Sequence, residues 1–89
     1  MIDLPPMTAP VKRSVSIDGH RTSVSLEDPF WKALAREAAA LDLTRAALIG
    51  RIDHARPPGV GLATALRLYA IDAAEKRLAL HLGRNIPEG

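Results

Sequence analysis

Arg21, Ser23 and Ser25 stand at alternate positions, separated by Thr22, Val24 and Leu26. Side chains of a strand point to opposite faces with period two, so such a segment has one apolar face and one polar face. The polar face would carry a guanidinium and two hydroxyls in a row. A guanidinium fork can donate to O6 and N7 of guanine, and hydroxyls can meet base edges or phosphate oxygens. The same row also suits plain hydration, because sheets commonly have one solvated face. A second alternating run precedes it, with Lys12, Ser14 and Ser16 interleaved with Arg13, Val15 and Ile17.

Covalent chemistry finds less support. Four serines lie near Asp18 and His20, but no sharp nucleophile turn or oxyanion hole accompanies them, so a Ser-His-Asp triad is not expected. His20, His54 and His81 share no ligand spacing, and the chain has no cysteine. A metal site is therefore not expected. The glycines of Pro57-Pro58-Gly59-Val60-Gly61 lack the strand-to-helix setting of a phosphate-binding loop. No cofactor and no enzymatic activity are expected.

Positioning the polar row requires a hairpin. Asp18-Gly19 lies between the runs Lys12–Ile17 and Arg21–Leu26, and Asp-Gly favours a two-residue type I′ turn. With that turn, Ile17 faces His20, Val15 faces Thr22 and Arg13 faces Val24. Ser16 then faces Arg21, Ser14 faces Ser23, and Lys12 faces Ser25. Val15, Ile17, Val24 and Leu26 share one face, which a slip of one residue would scramble. Helix A is predicted to start at Asp28 as N-cap with Pro29 in the first helical position, and to break at Asp42-Leu43. Trp31, Leu34, Ala35, Ala38 and Leu41 give its apolar spacing. Thr44 caps helix B, with Leu43 and Leu48 as a hydrophobic staple and Leu48, Ile49, Ile52 and Ala55 as its apolar stripe. Arg56-Pro57 ends it, since a residue before proline avoids the helical region. Helix C runs from about Leu62 to Leu80 or Leu82. Leu62, Leu66, Tyr69, Ala70 and Ala73 line one face, and Leu68 and Ile71 widen the arc, which suggests burial on two sides. Asp72 and Lys76 form an i,i+4 pair.

At 89 residues the chain has room for one domain. We read residues 1–10 as a disordered arm, 11–82 as the domain and 83–89 as a flexible tail. Without disulfides so small a core gains from oligomerising. Trp31 and Tyr69 fit a core or an interface better than a stacking platform for single strands. The net charge of +2 would not by itself direct the protein to nucleic acid. No apolar run approaches a membrane span and the first residues lack a secretory pattern, so a cytoplasmic protein is the default expectation.

The run from Lys12 to Glu27, followed by Phe30-Trp31 and Leu34, resembles a group of short bacterial ribbon-helix-helix proteins. Ile49, Ile52-Asp53 and Ala55-Arg56 resemble that group's second helix, and Leu62 and Ala65-Leu66-Arg67 the start of its third. The resemblance covers about residues 12–74. It implies a mainly α fold with a short β-hairpin or ribbon, a ribbon-helix-helix homodimer with an additional C-terminal helix. It further implies binding to double-stranded DNA as a transcriptional regulator, with the ribbon in the major groove. Arg21, Ser23 and Ser25 would face the bases. Thr44 and Arg45, at the start of helix B, would hold a phosphate. Lys12 and Arg13 are candidate phosphate contacts, and Ser14 and Ser16 complete the polar face. A second strand per subunit departs from the simplest pattern of the family: the Lys12–Ile17 strand must bend away, track the backbone or block docking. The alternative is a dimeric interaction module, such as an antitoxin-like subunit that binds a protein partner.

Overall fold

The computed structural model describes the backbone of residues 1–85 and the side chains of residues 1–83. Strands β1 (Val11–Ile17) and β2 (His20–Leu26) form an antiparallel hairpin, followed by helices α1 (Asp28–Ala40), α2 (Arg45–Ala55) and α3 (Leu62–Asn85). Residues 1–10 have no regular secondary structure and are exposed.

The hairpin has the expected register throughout: Ile17 faces His20, Ser14 faces Ser23, and Lys12 faces Ser25. Asp18 and Gly19 both have positive φ, 53° and 79°, which is what a type I′ turn demands of its two central residues. Both strands pair within one chain, so the ribbon of this subunit is already double. Its apolar face buries Val15, Val24 and Leu26 against the helices, with β1 over α2 and β2 over α3.

Trp31, Leu34, Leu48, Ile49 and Leu66 complete the core. Trp31 is tied across it by its indole N–H, which donates to the Val11 carbonyl at 2.9 Å. Only one side of α3 is covered. Leu66 is fully buried, whereas Leu68, Ile71, Leu78 and Leu82 are 47–59% exposed. The wide apolar arc therefore packs on its own subunit along the Leu66 side and leaves the Leu68 side open.

Two boundaries differ from the sequence reading. The N-cap of α1 is Glu27, one residue before the expected Asp28, and it makes no side-chain cap. Its carboxylate instead meets Arg67 of α3 at 2.9 Å. Asp28 sits in the first helical turn and pairs with Lys32 at 3.1 Å. Helix α3 continues through Gly83 to Asn85, past the expected end at Leu80 or Leu82; residues 86–89 of the expected tail lie outside the described residues. Helix α1 closes with Asp42 at φ 57°. The Leu43 N–H donates to the Ala38 carbonyl at 2.8 Å and the Asp42 N–H to the Ala39 carbonyl at 3.1 Å. This is the Schellman arrangement, with aspartate where glycine is usual.

Candidate nucleic-acid interface

The hairpin turns one face outward. Lys12, Ser14, Ser16, Arg21, Ser23 and Ser25 all lie on it, and all are exposed. Cross-strand pairing sets them in three rows, Lys12 with Ser25, Ser14 with Ser23, and Ser16 with Arg21. The face thus carries a cation at each end and four hydroxyls between. The period-two pattern brings these six together because the opposite face holds Val15, Val24 and Leu26 in the core.

Arg13 belongs to that opposite face by register, yet it is exposed. Its guanidinium carbon lies 5.6 Å from the centroid of the Trp31 ring. That of Arg45, in the first turn of α2, lies 5.2 Å from the same centroid. Thr44 acts as the expected cap, its hydroxyl accepting from the Ala47 N–H at 3.1 Å. The remaining N–H groups of that first turn give α2 a positive end beside Arg45.

The charges divide by region. Lys32, Arg36, Arg56, Arg67, Lys76 and Arg77 each meet a carboxylate within their own chain. Among the described side chains, Lys12, Arg13, Arg21, Arg45 and Arg51 do not, and these belong to the hairpin and α2. A net charge of +2 therefore hides an uneven distribution: the carboxylates that meet a lysine or arginine serve α1, α3 and the end of α2, and the lysines and arginines without one lie on the hairpin and α2. The Arg77 guanidinium, and then Arg36, hold the Glu37 carboxyl below the usual carboxylate range despite its burial. At Glu27 the residue's own backbone N–H and then Arg67 act in the same direction.

Arg51 is not among the residues that the sequence points to for this site. An arginine inside a helix has no local signature, and only the packing of α2 beside β1 brings it to the groove lined by Ser16, Asp18, Ala47 and His54. The same packing brings His54 Nε2 within 2.7 Å of Asp18 Oδ2, which ties the hairpin tip to the last turn of α2. Among the described residues no cluster of His, Cys, Asp or Glu could hold a metal ion, and no helix is long and apolar enough to cross a membrane.

A double-stranded ribbon followed by a helix-turn-helix pair, with a further helix behind, defines the class. A comparison with protein families matches residues 10–74 to the ribbon-helix-helix domain. The match spans most of the chain, which belongs to that family. No curated protein and no solved structure matches it significantly.

Proposed function

We propose that the protein is a sequence-specific DNA-binding regulator that acts as a homodimer through its ribbon. Membership of a family whose domains are typically DNA-binding regulators or antitoxins without enzymatic activity supports this reading. The observation that carries it concerns the cations that have no carboxylate partner among the described side chains. All five gather on the hairpin and α2, next to a face of four hydroxyls. Phosphate contacts supply most of the affinity, and a few side chains on base edges supply the specificity.

The second strand is compatible with docking. Each strand of a two-stranded sheet keeps one free edge, a template for pairing with another chain. A symmetric dimer that pairs β2 with the partner's β2 has strand order β1-β2-β2-β1. Four strands span about 14 Å at roughly 4.8 Å per gap, against a major groove about 12 Å wide. The two central strands then enter, and the outer β1 strands lie along the groove walls. Arg21, Ser23 and Ser25 face the bases. Lys12, Ser14 and Ser16 face the backbone, and Thr44 and Arg45 reach the flanking phosphates. Binding needs no chemistry: the dimer acts by occupying a short, two-fold symmetric site.

A titration against duplexes selected from a random pool, with scrambled controls at low and near-physiological salt, tests this reading. Tight binding to the selected sequence that survives added salt supports it. Equal weak binding to both, lost with salt, reduces the contact to counterion release and removes the specific regulator.

A second reading has one observation in its favour. Leu68, Ile71, Leu78 and Leu82 follow a heptad rhythm along the open side of α3, and Leu68 continues into an apolar groove with Ile52, Val60 and Tyr69. Such a seam suits a protein partner. Under that reading Leu78→Asp abolishes partner capture while DNA affinity stays unchanged.

A further inference from the structure

We propose that Trp31 is a positioning residue that holds Arg13 and Arg45 as a paired phosphate grip beside the ribbon. This inference rests on the DNA-binding reading for its biological ligand. Arg13 comes from β1 and Arg45 from α2, elements that share no local sequence. The indole brings them together, with guanidinium carbons 5.6 Å and 5.2 Å from one ring centroid. The ring itself cannot shift, because it is 1% exposed and its N–H is bonded to the Val11 carbonyl. That bond also fixes the start of β1, two residues before Arg13.

A guanidinium held over a ring by cation–π attraction can keep its N–H donors free for another acceptor. Among the described residues neither arginine donates a hydrogen bond to the protein or pairs with a carboxylate. Arg67 is the contrast. It too lies over a ring, 5.8 Å from the centroid of Phe30, but its donors are taken by Glu27 and the Ser25 carbonyl. Two guanidiniums with unspent donors, both over one rigid ring, offer charge-assisted hydrogen bonds to phosphate oxygens. The indole removes the freedom that two long side chains would otherwise lose on binding.

Trp31 is the only tryptophan in the chain, so its fluorescence reports on the grip directly. The full chain is titrated with tripolyphosphate, which carries no base sequence, and compared with Arg13→Gln and Arg45→Gln. The expected result is a saturable fluorescence change, with affinity weakened roughly tenfold or more in either variant, as for the loss of charge-assisted hydrogen bonds. No change, or one that both variants retain at full affinity, overturns the proposal even if duplex DNA binds. A tripolyphosphate response without duplex binding leaves the grip standing and removes the DNA reading instead. For the positioning role, Trp31→Phe keeps an aromatic face and Trp31→Leu removes it. Duplex binding by Trp31→Phe should retain the wild-type salt slope, and Trp31→Leu should lower that slope by about 1 to 2. A folded Trp31→Leu protein with the full slope overturns the positioning role. If that variant does not fold, NMR of the parent chain decides: upfield ring-current shifts of the Arg13 and Arg45 side-chain protons support the positioning role, and random-coil shifts overturn it.

Discussion

The hairpin with α2 and the pair α1–α3 are built from the same kinds of residues and use them in opposite ways. Along α1 and α3 every described arginine and lysine has a carboxylate: Arg77 reaches Glu37 at 2.5 Å, Arg67 reaches Glu27 at 2.9 Å, and Lys76 reaches Asp72 at 2.9 Å. On the hairpin and α2 most cations have none. An ion pair satisfied within the chain contributes modestly to stability and nothing to a polyanion. An unpaired surface cation does the reverse. Net charge is thus a poor guide to function in a chain of this size, and the pairing of each cation is a better one.

Variants on the two sides should therefore separate stability from binding. The largest effect belongs to the core between them. Leu66→Ala should cost about 2–5 kcal/mol of stability, with DNA affinity per folded molecule unchanged, as measured by denaturant titration and by binding at matched folded fraction. Arg21→Ala should leave the melting curve unchanged and weaken specific binding by roughly 1–3 kcal/mol, relaxing one base position. A uniform loss on all sequences would instead make Arg21 a phosphate contact.

Glu37→Gln should cost about 1–2 kcal/mol, with no effect on DNA. The pH dependence of stability supplies the sharper form of this prediction. The folded carboxyl is held below its ordinary value of 4.5, mainly by Arg77. The stabilisation is thus present in full above 4.5 and is lost as pH falls through the depressed folded value. Glu37→Gln should flatten that acid limb of the stability curve, and an unchanged limb would assign it to other carboxylates. Thr44→Ala removes the cap of α2 and should cost about 1 kcal/mol. The smallest effect is a gain: Asp42→Gly should stabilise by up to about 1 kcal/mol, because the left-handed conformation strains a residue with a Cβ.

The hairpin face is legible in the amino-acid sequence alone, since period-two alternation and one Asp-Gly turn fix which residues share a side. Thr44 is equally legible, because capping depends on a few consecutive residues. What the sequence hides is tertiary. The cap of α1 falls at Glu27 because the helix begins directly after the strand, and its carboxylate goes to Arg67, forty positions along the chain. His54 meets Asp18, and Arg51 joins the hairpin side, only because α2 packs beside β1. Arg13 leaves one trace in the sequence: a charge at an inward position of an otherwise apolar row. Its partner Trp31 cannot be read from that trace. Helix α3 outruns its predicted end because a single glycine, here Gly83, weakens a helix by only about 1 kcal/mol.

The most direct measurement compares two double variants of equal net charge. One replaces Arg21 and Arg45 with glutamine, and the other replaces Lys32 and Lys76. Each is titrated against the selected duplex across a range of salt. A DNA face made by the unpaired cations predicts that the first variant loses most of its affinity and part of its salt slope, while the second binds like the parent chain. Equal losses in the two would contradict that face and leave net charge as the only attraction.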